Sequence, residues 1–202
     1  MKIPLYGDQM IDQLVDAFFL QSEAGRAYIN ICVEQRVYPI IDHITIRCFD
    51  INQRAKPFME KGYNDQDEII EYPDQGWWAK VYRKAGFPAL FIDQAYPDER
   101  GQKSIIPQWV NQFGENTLHH VAVLVQYIDT EVDFMRKMGI EFAGEISGGE
   151  GTRLRQIFTA AEVRGGEPFT VLELIQRNGY SGFYPEQANR LMDSSVTKKT
   201  KS

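Results

Sequence analysis

The chain repeats itself. A strand-like run, a short helix and three further strand-like runs occur twice, about 77 residues apart. The first copy reads IDHITIRCF, NQRAKPFMEKGY, DEIIEY, GWWAKVYRK and FPALFIDQ. The second reads LHHVAVLV, DTEVDFMRKMGI, EFAGEI, RLRQIFTAA and FTVLELIQR, with Asp129 or Thr130 expected to cap the helix. An internal repeat of this kind restricts the fold more than any single motif does. It predicts an α+β chain in which two βαβββ modules pair into a curved mixed sheet around a cavity. Module one is expected over 39–96, a connector with a helical turn at Ile106 to Gln112 over 97–116, and module two over 117–183. Residues 1–38 carry apolar positions at helical spacing and predict a helical cap. Residues 184–202 predict one closing helix and a solvated tail.

The two copies align at both ends. DHITI lies over HHVAV, placing His43 on His120, and FPALFIDQ lies over FTVLELIQ, placing Phe91 on Glu173. Side chains alternate across a strand. His43 therefore shares a face with Thr45 and Arg47, and His120 with Ala122 and Leu124. Glu173 shares one with Val171, Ile175 and Arg177. Carboxylates are rarely buried unless paired or bound to a metal. Glu173 in an apolar strand is thus either the wet face of an edge strand or a ligand. If the faces meet in one cavity, two imidazoles and one carboxylate converge as a metal site. His119 is out of phase and points away.

Composition removes several classes. A net charge of −6 argues against a general nucleic-acid binder. No stretch approaches the roughly 20 apolar residues of a membrane span, and the first residues lack the apolar core of a signal peptide. A cytoplasmic location is the default expectation. The two cysteines form no CxxC and are expected reduced and buried. SGGEG at 147–151 lacks the lysine and the following helix of a phosphate loop, so it reads as a hairpin turn, as does RGGEP at 164–168.

The repeat with DHITIR, HHVAVLV and VLELIQR resembles the vicinal oxygen chelate superfamily. The piece RQIFTAAEVRGGEPFTVLELIQRNGYSGF is similar to the end of 4-hydroxyphenylpyruvate dioxygenase. A closer likeness is to the 2-oxoadipate dioxygenase/decarboxylase (hydroxyglutarate synthase) family, over about residues 39–183. The resemblance implies His43, His120 and Glu173 as metal ligands, Fe(II) as the expected metal, with Mn(II) or Zn(II) as alternatives. It implies a small 2-oxo acid and O2 as reactants. Two histidines and a carboxylate fill one face of an octahedral ion and leave three positions open. It further implies Arg47 as the group that holds the acid, catalytically and in binding, and Gln156 on the substrate side. Thr45 and Arg177 are candidate substrate contacts, and Trp77, Trp78 and Tyr82 are candidate cavity walls. Arg153 and Arg155, out of phase with Gln156, are expected in solvent. The chain is shorter than the usual members of either enzyme family. A non-redox metalloenzyme of the same fold and a non-catalytic small-molecule binder stay open as alternatives, and so does a homodimer.

Overall fold

The computed structural model describes residues 6–184, 186–187 and 191. The expected closing helix and tail therefore lie outside the described residues, apart from Tyr184, Glu186, Gln187 and Leu191. The chain is α+β and divides into two compact units, Met1–Asp16 with His43–His119, and Ala17–Asp42 with His120–Ser202. No helix among the described residues is long and apolar enough to cross a membrane.

Two helices open the chain, α1 (Gln9–Gln21) and α2 (Glu23–Gln35). Their separation at Ser22 has a local cause. The Ser22 hydroxyl accepts from the Gly25 N–H as an N-cap and donates to Glu162 Oε1 at 2.6 Å. The same carboxylate oxygen accepts from the Ala24 N–H at 3.1 Å, so an acidic group satisfies the positive end of α2.

The first module runs β1 (Ile41–Arg47), α3 (Ile51–Met59), β2 (Asn64–Tyr72), β3 (Trp77–Arg83) and β4 (Ala89–Ala95). Its strands lie in the order β2-β3-β4-β1. β1 and β4 are parallel, with Thr45 beside Phe91 and Arg47 beside Asp93. Asp50 caps α3 by accepting from the Gln53 N–H. The connector holds a 3-10 turn at Glu99–Lys103 and α4 (Ile106–Phe113), one residue longer than the expected helical piece.

The second module runs β5 (Leu118–Leu124), α5 (Ile128–Lys137), β6 (Leu154–Phe158), β7 (Glu162–Arg164) and β8 (Glu167–Arg177). Its order is β5-β8-β6, with β7 on β8. β5 and β8 are parallel, with Ala122 beside Glu173. The repeat therefore holds at the level of register. Phe91 stands beside the residue two places after His43, and Glu173 stands beside the residue two places after His120.

Two expectations are corrected here. EFAGEI is no strand: within 141–147 only Phe142 and Ser147 form isolated bridges, to Thr159 and Gln156. Gly144 at φ 76° bends the run out of extended conformation. Nor is α5 capped by Asp129 or Thr130. It starts at Ile128 without a side-chain cap from its own N-cap residue, Tyr127, and the Ile128 N–H is taken by Gln176 Oε1 at 3.0 Å. Gly148 is required in the following loop, because at φ 94° a Cβ would run into the Leu154 carbonyl.

Cys32 and Cys48 are both free and buried, and burial pushes both thiols up. Native protein at neutral pH should react with a disulfide reagent far more slowly than denatured protein. Prompt labelling of either thiol without denaturant would contradict the packing of α2 or of the chain after β1.

Candidate metal centre

Each unit contributes one buried polar strip, and each is built by strand alternation. On β1 the residues Ile44 and Ile46 fill one side, with no exposure. His43, Thr45 and Arg47 take the other and are also buried, at 3%, 1% and 2% exposure. The parallel register adds Ala89, Phe91 and Asp93 of β4 to this face. The antiparallel register of β3 adds Trp77, Ala79 and Val81. Of the three aromatic candidates, Trp77 is thus on the site face, stacked on Tyr72 at 3.8 Å between ring centroids. Trp78 and Tyr82 alternate to the other side.

The polar residues of this strip have specific neighbours. The His43 ring lies 4.8 Å from that of Phe91, tilted by 49°. The Arg47 guanidinium sits over Trp109 of α4 at 5.3 Å, within cation–π range. Burial lowers the Arg47 pKa to about 10, while the nearby Asp93 charge works against that shift. Burial raises Asp93 to about 7, opposed by the charges of Arg47 and His43. Asp93 is a further polar member of this face, beyond the residues the sequence pattern singles out. Its signal lay in FPALFIDQ, where it stands two residues past Phe91 and so on the same face.

In the second unit, β5 presents His120 and Ala122, and β8 presents Val171, Glu173 and Ile175. Phe158 and Gln156 of β6 lie across from Glu173 and Ile175 and share the face. Glu173 is 2% exposed, so the wet-edge alternative falls. His120 Nε2 and Glu173 Oε2 are 3.5 Å apart. The His120 ring packs against Phe158, with centroids 5.1 Å apart. Gln156 is buried rather than solvated, and its amide donates to Gln187 Oε1 at 3.4 Å. Beyond it, Leu124, Tyr180, Phe183 and Tyr184 pack against a core of Ala122, Leu154 and Ile175. His119 is out of phase with His120 on β5 and meets Trp109 edge-on at 5.9 Å.

The arginines sort differently from expectation. Arg155 is not in solvent: it is 9% exposed and makes two hydrogen bonds to the Asp129 carboxylate, 2.5 and 2.9 Å long. The partner lies on α5, so β6 alone gave no hint of it. Arg153 is exposed and donates to the Gly179 carbonyl. Arg177 shares the face of Glu173, yet it forms a bidentate pair with Asp42 at 2.5 and 2.9 Å. It also donates to the carbonyls of Tyr180 and Gly182 at 3.0 and 2.8 Å. These four bonds clamp the turn that carries Phe183. Removing one partner of a largely buried pair leaves the other charge uncompensated. Arg177→Ala should therefore destabilise the fold by about 3 kcal/mol, read from equilibrium denaturation. A loss below about 0.5 kcal/mol, the scale of an exposed pair, would show the clamp to be dispensable.

No family model matches the sequence, and no curated protein matches it either. Solved structures do match. Hydroxyglutarate synthase from Oryza sativa, in complex with 2-oxoadipate, is 15% identical, with a TM-score of 0.77 over 93% of this chain and 91% of that one. A glyoxalase superfamily protein from Ralstonia eutropha is 13% identical, with a TM-score of 0.66 over 86% of this chain and 84% of that one. Methylmalonyl-CoA epimerase from Mycobacterium tuberculosis is 19% identical, with a TM-score of 0.50 over 68% of this chain and 87% of that one. The chain has the vicinal oxygen chelate fold, a fold shared by enzymes of different reaction type.

Proposed function

We propose that this protein is a non-haem Fe(II)-dependent dioxygenase/decarboxylase acting on a small 2-oxo acid. The donor set carries the reading. His43, His120 and Glu173 each offer one ligand atom, and these lie within 4.8 Å of one another. Two atoms bound to one ion at about 2.0–2.2 Å can be at most about 4.4 Å apart. Donor atoms that near to one another support the reading of one shared ion. Two neutral imidazoles and a carboxylate suit Fe(II), and also Mn(II) or Zn(II). When bound, iron supplies the redox chemistry with O2 that side chains cannot.

The remaining residues position the acid. Arg47 offers a guanidinium fork to its carboxylate. Thr45 stands between Arg47 and His43 on β1, and Gln156 presents an amide from β6. Phe91 and Trp77 beside the His43 face, and Phe158 beside the His120 face, are buried apolar groups that would keep water from the ligands. The structural likeness to a synthase that binds 2-oxoadipate supports the choice of acid, and the likeness to an epimerase supports a second reading. In that reading the same metal site does non-redox chemistry.

Oxygen uptake by anaerobically Fe(II)-loaded protein, offered a panel of 2-oxo acids with 2-oxoadipate among them, separates the two. The proposal expects uptake that needs both iron and one acid, with matching CO2 release. Bound iron without uptake would move the assignment to the non-redox enzyme. Glu173→Ala should lose tight metal binding, measured as metal per chain after dialysis. Unchanged metal content would remove Glu173 from the site.

A further inference from the structure

Ser147, the first residue of SGGEG, forms an antiparallel bridge with Gln156. The Ser147 N–H donates to the Gln156 carbonyl at 2.8 Å, and the Gln156 N–H donates back to the Ser147 carbonyl at 3.0 Å. Residues opposed in this way send their side chains to the same face. Gln156 stands beside Ile175, and Phe158 stands beside Glu173. Ser147 therefore extends the face of Glu173 and Gln156 by one further strand. Its Oγ is buried and has no hydrogen-bond partner among the described residues. Buried polar atoms are overwhelmingly satisfied, and an exception calls for a physical reason. Gln156, 2% exposed, donates to Gln187 Oε1 at 3.4 Å, which is long for a hydrogen bond. The nearby cations are engaged elsewhere. Arg155 alternates to the other face and pairs with Asp129, and Arg177 pairs with Asp42.

The backbone holds this hydroxyl in place. Arg155 Nε donates to the Gly148 carbonyl at 3.3 Å. A Cβ on Gly148 would stand 2.3 Å from the Leu154 carbonyl oxygen, so the loop has little room to shift. A contact group fixed in advance loses little freedom when a ligand arrives. Position then decides which part of a ligand it meets. Ser147 lies two strands from β8 and, by way of Gln156 and Ile175, two residues along from Glu173. At strand spacings of about 4.8 Å and a rise of about 3.3 Å per residue, the two backbones are roughly 12 Å apart. A ligand anchored beside Glu173 reaches Ser147 with its far end.

We propose that Ser147 is a specificity-determining contact whose hydroxyl, together with the Gln156 amide, donates to an oxygen at the end of the 2-oxo acid remote from His120 and Glu173. The inference rests on the reading above that a 2-oxo acid binds beside those residues. It narrows the substrate class to acids that carry an oxygen function at the far end. An acid ending in an alkyl group would leave a buried hydroxyl and a buried amide unpaired, and a site of that kind rejects such an analogue.

The test is calorimetric titration of the full chain, with Fe(II) present and oxygen excluded, using 2-oxoadipate and 2-oxohexanoate. The two acids have the same carbon chain, and the second ends in a methyl group. Ser147→Ala should weaken 2-oxoadipate about tenfold, the scale of a hydrogen bond to a charged group. It should change 2-oxohexanoate by less than about twofold, the limit for groups that do not interact. Ser147→Thr keeps the hydroxyl and should restore most of the affinity for 2-oxoadipate. An equal loss for both acids would make Ser147 a structural residue and overturn the proposal. So would unchanged affinity for 2-oxoadipate in Ser147→Ala, a Ser147→Thr variant no better than Ser147→Ala, or no binding of either acid. A chain that binds 2-oxoadipate through Ser147 and yet takes up no oxygen would remove the dioxygenase reading and leave this contact standing.

Discussion

A β-strand has two faces, and burial of both faces of β1, β5 and β8 is the constraint on which the candidate site depends. In β1 and β8 the buried centre of one side is apolar, as with Ile44 and Ile46 or Leu172 and Leu174. That side fixes the register, because a slip of one residue would turn every polar group into the apolar layer. The opposite side is then free to hold His43, Thr45 and Arg47 in one unit and His120 and Glu173 in the other. The hydrophobic layer thus fixes the polar layer without touching it. The stability of the core and the placement of the ligands are one arrangement seen from two sides.

Burial also sets the electrostatics. Arg47 and Asp93 are pushed toward their neutral forms by desolvation and held back by each other's charge. Arg155 and Arg177 are different. Each has a carboxylate partner in bidentate geometry, Asp129 and Asp42, and serves the architecture of its own unit. The arginines and aspartates near the ligand faces therefore divide by how completely they are hydrogen-bonded. Those that are complete support loops and helices. Those that are incomplete stand beside His43.

Much of this could be read from the chain. The repeat, the two first-strand histidines and the lone carboxylate of the last strand are legible from side-chain alternation and the match between the two copies. What escaped has definite physical causes. Asp93 carries no signal in the repeat, because its counterpart there, Ile175, is an ordinary core residue. Arg155 was assigned to solvent because its partner comes from α5, and one strand's pattern carries no record of a helix packed beside it. EFAGEI looked like a strand because its composition suits one, but Gly144 takes a φ that no strand uses. The start of α5 was misplaced because its first N–H is satisfied by Gln176, from a distant part of the sequence.

The asymmetry between Phe91 and Glu173 has a consequence for how many seats the metal has to offer. Two modules with matching registers provide two equivalent places for a last-strand ligand, and only one is filled by a carboxylate. Suppose both were. Four protein donors would then occupy an octahedral ion and leave two positions, which a chelating 2-oxo acid would use up. No seat would remain for dioxygen. In the proposed centre, the phenyl ring of Phe91 breaks the symmetry of the duplication, and a residue with no ligand atom to offer would set the number of reactants the ion can hold at once.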